Sequence, residues 1–233
     1  MINKRSAIMS MVLGPIHYWM FGKIKTSEAR ENNIVSAFKA RYGADAEALL
    51  GEVYKKYPQT DSTKSLEELL ANKSIHQGIQ SIIIEGETRE AAIIAAFCAK
   101  YDAAGKNASE AAHAHGIQCG KEAVNRKGLS ANECKSTSKA FELLGDYLCD
   151  GMPCDRGAQV VEDSEKCTTW DHEECVHEKY WKNAGADFLT MCDIVNAWIS
   201  GFCEGLNPSS TYKREKAIAS GDKSCLSILK NNS

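Results

Sequence analysis

The chain has 233 residues, of which 43% are hydrophobic and 25% charged, and its formal net charge is −3. This composition is typical of a globular protein that is long enough to bury a substantial core. The slightly negative charge and the lack of a basic block in the sequence argue against a nucleic-acid-binding protein.

The N-terminal segment resembles a signal peptide only at first sight. Lys4 and Arg5 precede an apolar run, but Gly14-Pro15 breaks the run, His17 lies within it, and no small-x-small cleavage site follows. The segment is also too interrupted for a transmembrane helix. We therefore expect an amphipathic helix, or two half-helices, packed on the core of a cytoplasmic protein with no membrane partner.

The sequence contains ten cysteines. In a reducing cytosol these are expected to be thiols or metal ligands rather than disulfides. Six of them lie between residues 149 and 203: Cys149, Cys154, Cys167, Cys175, Cys192 and Cys203. Such density suggests a cytosolic protein of a low-oxygen environment.

Residues 1–150 carry helical patterns. A helix is predicted from Ser27-Glu28 to Gly43, and a second runs from residue 44 to 57, where Pro58 ends it. Ser65 to Glu68 form a capping-box pattern. Three further helices are predicted over residues 88–101, 107–126 and 132–148. The β-branched run over residues 79–88 fits either a short strand or a buried helical turn.

The pattern changes after residue 150. Residues 158–162 and 166–170 are predicted strands, residues 174–183 and 188–204 predicted helices, and residues 210–230 a hairpin around Gly221-Asp222. We therefore predict an α+β protein. Its mainly helical N-terminal part, residues 1–150, packs as one compact unit on a small antiparallel C-terminal sheet with two helices, residues 151–233.

The short motifs give little support for a metal site. Cys149 and Cys154 have a zinc-like gap, but Cys167 and Cys175 are too far apart to supply the usual second pair. His172 and His177 would lie about 140° apart on a helix, which is poor for chelation. The acids around them suit an acidic helix start.

Cys192 and Asp193 stand out on the predicted long helix. Cys192 lies on its apolar face and Asp193 at the edge of that face. A carboxylate beside a thiol can activate water or hold a cation. An exposed Asp193 beside a cysteine that merely packs explains the same spacing equally well.

A larger set of residues carries a family resemblance. The set is Cys167, Cys192-Asp193, Gly205 to Pro208, Arg214 and Gly221-Asp222-Lys223-Ser224-Cys225, with Leu13-Gly14-Pro15 and Arg41-Tyr42-Gly43 earlier in the chain. In these residues the sequence resembles the L-2-amino-thiazoline-4-carboxylic acid hydrolase family. It departs from the family at Ser227, where we expect an aromatic residue.

The resemblance implies ring-opening hydrolysis of a cyclic isothiourea. Water adds at the carbon between sulfur and nitrogen and gives a carbamoyl-cysteine on the way to cysteine. The resemblance makes Cys167 and Cys192 candidate nucleophiles, with Asp193 as general base or orienting group. Arg214 suits the substrate carboxylate because its planar fork binds such groups bidentately. Asp222 is a weaker substrate-binding candidate that also suits the turn.

Two alternatives stay open. In the first, zinc or another divalent metal is bound by Cys167, Cys192 and Cys225, which leaves one coordination position open. His172 is a candidate fourth ligand at that position. Alternatively, the protein is a cysteine-rich sensor or carrier that binds a small ligand or a soft metal without turnover. In either case the expected partner is a small molecule, and assembly into a homo-oligomer is left open.

Overall fold

The computed structural model describes residues 13–61, 63–70, 73–152, 155 and 157–232. The helices of the N-terminal part are α1 (Pro15–Tyr42), α2 (Ala44–Lys56), α3 (Leu66–Leu69), α4 (Ile75–Cys98), α5 (Ala104–Lys127) and α6 (Thr137–Tyr147). The C-terminal part follows with β1 (Gln159–Asp163), β2 (Cys167–His172), α7 (Glu178–Asn183), α8 (Phe188–Leu206), β3 (Ser210–Lys216) and β4 (Cys225–Asn231). In the described residues no helix is long and apolar enough to cross a membrane.

Helices α5 and α8 are in backbone contact at the centre of the fold. Small residues recur at every fourth position of α5, which places them on one face: Ala104, Ala108, Ala112, Gly116 and Gly120. A Cβ added to Gly116 would lie 2.2 Å from the carbonyl oxygen of Trp198 on α8. Only glycine fits at such a distance, so this spacing is what lets the two helices approach.

The contact is reciprocal, because α8 carries its own glycines four residues apart. A Cβ on Gly201 would lie 2.1 Å from the carbonyl oxygen of His113, and one on Gly205 would lie 2.4 Å from that of Ile117. The axial position of α8 against α5 is therefore fixed from both sides.

The four strands form an antiparallel sheet in the order β1-β2-β4-β3. In this register His172 lies opposite Cys225, and Arg214 lies opposite Ser227. Trp170 faces the helices, since its ring contacts that of Phe141 on α6 at 4.8 Å between centroids. Because side chains alternate along a strand, His172 shares that face. The small sheet predicted from the sequence is confirmed.

One cluster of buried apolar side chains crosses the boundary at residue 150. It contains Phe38 and Phe97 from the helical part and Trp198 and Leu229 from the C-terminal part. A mainly helical part packed on a small sheet within one core is the predicted α+β architecture.

Two buried ion pairs join α1 to α4. Arg30 donates two hydrogen bonds to Glu90, at 2.8 and 2.6 Å, and Nε of Arg89 lies 2.9 Å from both oxygens of Glu31. Buried charges are tolerated only when paired and hydrogen-bonded in this way. The pairs set the position of α4, which carries Glu87 to the site described below.

Several predicted boundaries are confirmed because a local signal sets them. Gly43 ends α1 with a positive φ of 55°. Ser65 and Glu68 cap α3 reciprocally. α8 covers the predicted residues 188–204 and continues to Leu206, and the final hairpin turns at Gly221.

Other predicted boundaries are wrong. The predicted N-terminal helix and the helix predicted from Ser27 are one continuous helix that begins at Pro15, where proline is tolerated because its missing N–H costs nothing in the first turn. Asn107 lies inside α5 and donates to the Tyr42 hydroxyl instead of capping a helix. The ambiguous run over residues 79–88 is helical, within α4. The predicted contribution of residues 1–12 lies outside the described residues.

We predict that Gly116→Ala lowers the free energy of unfolding by about 3 kcal/mol, because the added methyl group forces α5 and α8 apart. Gly51→Ala is the matched control. Gly51 is also helical, but a Cβ there meets nothing within 4 Å, so this change should raise stability by about 0.5–1 kcal/mol. Denaturant unfolding of both variants measures the difference, and equal effects would contradict the close contact.

Candidate functional site

A cavity of about 50 Å³ lies between the helix-facing side of the sheet and α8. Its lining includes eight charged, polar or thiol side chains: Asp150, His172, Glu174, Cys175, His177, Cys192, Arg214 and Cys225. Glu174 and Cys175 separate it from an open groove of about 600 Å³, which Glu87 also lines. The cavity therefore combines titratable groups with a wall that it shares with an open groove.

Four titratable side chains form a continuous chain along one wall of the cavity. Nδ1 of His177 lies 2.8 Å from Glu87, and Nε2 of His177 lies 3.2 Å from Oδ1 of Asp150. The other oxygen of Asp150 lies 2.6 Å from Nε2 of His172. Asp150 thus bridges two imidazole rings, and His177 bridges two carboxylates.

This series of hydrogen-bonded side chains shifts the pKa values of its two central members, His177 and Asp150, in opposite directions. Burial disfavours a charge on His177, but the carboxylates of Glu87 and Asp150 outweigh it and raise the pKa of His177 well above its ordinary value. Burial also disfavours charge on Asp150, but hydrogen bonds from His172 and His177 hold its pKa well below the usual range. His177 is therefore a cation and Asp150 an anion at neutral pH.

Trp181 fixes the orientation of His177. The two rings are stacked, with centroids 4.9 Å apart and planes within 6° of each other. An imidazolium over an indole face is attracted by the ring quadrupole as well as by dispersion. The ring nitrogens of His177 consequently stay aimed at Glu87 and Asp150.

A second polar network lies on the opposite wall. Nε of Arg214 donates to the Tyr212 hydroxyl at 3.3 Å, and that hydroxyl donates to Oδ1 of Asn196 at 2.8 Å. Asn196 in turn donates to Sγ of Cys192 at 3.4 Å. Among the described residues no carboxylate pairs with Arg214, whose nearest titratable neighbours are Tyr212, Cys225 and Cys192. A guanidinium without a counter-ion beside a cavity suits an anionic ligand.

Two of the cavity thiols, Cys192 and Cys175, are poor nucleophiles in this state. Burial raises the pKa of Cys192, and the nearby Arg214 offsets only part of this effect. Burial likewise raises the pKa of Cys175. Since the thiolate is the reactive form, these two side chains act as thiols at neutral pH. The nine cysteines in the described part of the chain are all free.

The structure brings together only part of the predicted site. His172, Cys192, Arg214 and Cys225 line the cavity. Cys167 lies at the other end of β2, roughly 17 Å from His172 at a rise of 3.3 Å per residue. Because an odd number of positions separates the two residues, their side chains lie on opposite faces of the sheet. Its Sγ instead lies 3.6 Å from a carboxylate oxygen of Glu162.

The two predicted acids lie outside the cavity. Asp193 is exposed on α8 and is absent from the lining. Asp222 accepts a hydrogen bond from the backbone N–H of Ala217 at 2.8 Å, which closes the turn before β4. Neither side chain is placed to touch a ligand in the cavity.

The residues do not fit the expected zinc or other divalent-metal site. Within the described ranges, no group of three or more His, Cys, Asp or Glu side chains is arranged to hold a metal ion. Because Cys167 lies so far from His172, the predicted ligands Cys167, Cys192, Cys225 and His172 cannot bind one ion together. Cys154, of the predicted pair with Cys149, lies outside the described residues.

Sequence reasoning missed Glu87, Asp150 and His177. It placed residues 174–183 in one helix and so set His172 and His177 on different faces. In the structure His172 ends β2 and His177 lies just before α7, and both rings reach Asp150. Of the acids assigned to the helix start, Glu178 lies in the first turn of α7, whereas Asp171 lies on β2. The available signal for the site was the pair of histidines itself.

Comparison with models of known protein families, with curated proteins and with solved structures found no match. The geometry alone therefore defines the site. It is a largely enclosed cavity with a His–Asp pair on one wall and an arginine without a counter-ion on the other.

We predict that the stabilising effect of His177 has an upper pH limit and that of Asp150 a lower one. The stability from His177 is complete below its unfolded pKa of about 6.5 and is lost as pH rises through its raised folded pKa. The stability from Asp150 is complete above its unfolded pKa of about 3.9 and is lost as pH falls toward its lowered folded pKa.

Unfolding measured from pH 3 to 9 tests the histidine limit. The difference in stability between the wild type and His177→Gln should be constant below about pH 6.5 and shrink above it. His76→Gln, at an exposed position, is the control and should leave the profile unchanged. A difference for His177→Gln that is independent of pH would rule out the charged histidine.

Proposed function

We propose that the protein is a hydrolase that opens a small cyclic isothiourea bearing a carboxylate, such as 2-amino-thiazoline-4-carboxylate. The product would be carbamoyl-cysteine, which lies on the way to cysteine. One observation carries the proposal: a single cavity contains both a His–Asp pair suited to water activation and the unpaired guanidinium of Arg214.

His172 is the proposed general base. Its Nε2 lies against Asp150, and we assign the ring proton to Nε2 from that contact. Nδ1 is then the acceptor for a proton from water, as in other carboxylate-oriented imidazoles. Asp150 is a positioning residue in this account, and His177 holds its second oxygen.

Arg214 is the proposed carboxylate anchor. It lies on β3, two strands from His172 on β2, or roughly 10 Å across the sheet at the usual strand spacing. The cavity of about 50 Å³ is smaller than a substituted five-membered ring, so the proposal requires that binding widens the cavity toward the adjoining groove. Because Arg214 uses Nε for its hydrogen bond to Tyr212, the two terminal nitrogens of the guanidinium remain for the ligand.

The proposed reaction balances without a cofactor. His172 takes a proton from water while the oxygen bonds to the carbon between sulfur and nitrogen and the π pair of the C=N bond moves to the ring nitrogen. The carbon–sulfur bond of the tetrahedral intermediate then breaks, and His172 returns the proton to the departing sulfur. The pair on nitrogen re-forms the C=N bond as the sulfur leaves, and a proton shift from the hydroxyl to the nitrogen gives the carbamoyl group. Substrate and one water thus become N-carbamoyl-cysteine. Attack by Cys192 is less well supported, because its thiol is protonated.

A cysteine-rich carrier or sensor is the second candidate. The observation that favours it is the remainder of the lining, where Phe188, Val195 and Ile199 lie beside three thiols. Such a surface suits a small sulfur-containing ligand held without turnover. The same free thiols support a cytoplasmic location for either function.

We predict that the purified protein, handled without oxygen, converts the thiazoline to carbamoyl-cysteine, as measured by mass spectrometry of the small molecules. His172→Asn should lower kcat by about 10²–10⁴-fold, since the base is lost. Cys167→Ser should keep wild-type activity because Cys167 lies at the far end of β2, and Cys98→Ser, at an exposed position, is a second control.

Binding without conversion would favour the carrier and refute the hydrolase. Full activity of His172→Asn would refute the assigned base. Loss of activity in Cys167→Ser, with the fold retained, would restore the nucleophile expected from the sequence.

We predict that Arg214→Gln raises KM for the thiazoline by about 10–100-fold, because one charge-assisted contact is lost. Lys213→Gln is the matched control, since Lys213 neighbours Arg214 on β3 but is exposed. Steady-state kinetics of both variants supply the comparison, and an unchanged KM for Arg214→Gln would remove Arg214 from the binding site.

A further inference from the structure

Trp181 carries a buried hydrogen-bond donor that the protein itself does not use. The side chain is only 3% exposed, and the indole N–H has no acceptor among the described residues. Across that part of the chain, the one other buried side-chain atom without a partner is Oδ1 of Asp171. Since buried polar groups are paired in the great majority of cases, an orphaned donor needs an explanation.

The two orphaned atoms differ in their surroundings. Asp171 alternates with Trp170 and His172 on β2, so its side chain belongs to the sheet face that points away from the cavity. Trp181 lines the cavity, together with Arg214. The residue that carries the unused donor therefore lines the same cavity as the guanidinium that has no counter-ion.

The indole is also held rigidly. One face stacks on His177, with 4.9 Å between centroids, and the ring contacts Phe188 at 6.1 Å. A donor fixed in this way loses little entropy when a ligand arrives. It is preorganised for an acceptor that the ligand brings.

We propose that the N–H of Trp181 is a specificity-determining donor that binds the ligand carboxylate together with Arg214. A carboxylate has two oxygens and about four lone-pair sites, so it accepts from a guanidinium and an indole at once. A ligand without a carboxylate leaves the indole donor buried and unpaired and the guanidinium without a counter-ion, and the cavity rejects it for that reason. The identity of the ligand's ring rests on the proposed function. The role of Trp181 itself requires only that the ligand carries a carboxylate.

Trp181→Phe tests the inference, because phenylalanine keeps a six-membered ring to stack on His177 and removes the donor together with the smaller ring of the indole, and the paired probes separate these two losses. The probe is thiazolidine-4-carboxylate, which lacks the C=N bond and is not opened by water. Thiazolidine, which lacks the carboxylate, is the paired probe. Calorimetry measures the affinity of each, and circular dichroism verifies that the variant is folded.

We expect Trp181→Phe to bind thiazolidine-4-carboxylate about 10-fold more weakly than the wild type does, and to bind thiazolidine equally well. Trp19→Phe is the matched control and should bind both probes as the wild type does. Trp19 is 38% exposed, and its N–H already donates to Asp146 at 2.9 Å.

Three results would overturn the inference: unchanged affinity of Trp181→Phe for the carboxylate probe, an equal loss for both probes, or a wild type that does not prefer the carboxylate. Failure of the proposed function has a different signature. If the wild type binds thiazolidine-4-carboxylate through Trp181 yet does not open the thiazoline, the hydrolase is wrong and the carboxylate site stands.

Discussion

The backbone contact between α5 and α8 is the constraint on which the rest of the structure depends. Glycines on both helices, at Gly116, Gly120, Gly201 and Gly205, remove the side chains that would hold the helices apart. Trp198 on α8 also donates a hydrogen bond of 3.1 Å to His115 on α5, which stabilises the same contact. With α8 fixed in this way, the side chains on its other face meet the sheet at one register, and the cavity forms between them.

The cavity walls are held by polar networks rather than by apolar packing alone. On one wall Glu87, His177, Asp150 and His172 follow one another within hydrogen-bonding distance, so that the cationic His177 lies between two carboxylates. On the other wall Tyr212 links β3 to α8 through Asn196. Such networks stabilise the fold only when every member is paired. The groups left unpaired, on Arg214 and Trp181, are therefore the ones that a ligand would complete.

The sequence predicted the elements whose signals are local. The glycine at residue 43, the capping box at Ser65 and the hairpin at Gly221 each depend on a few neighbouring residues, and all three are confirmed. The site depends on contacts between distant segments, since His177 lies 90 residues from Glu87, and periodicity carries no information on such pairs. Two signals were nevertheless present: the four-residue spacing of small side chains on α5, and the odd separation of Cys167 from His172, which excludes a shared strand face.

The central claim is that water, activated by His172, opens the ring without a covalent enzyme intermediate. Single-turnover mass spectrometry with the protein in excess over the thiazoline tests it most directly. The account predicts that carbamoyl-cysteine accumulates while the intact mass of the protein stays constant from the first time point. An adduct on Cys192 that forms and decays at the rate of turnover would contradict the account, as would the absence of any product.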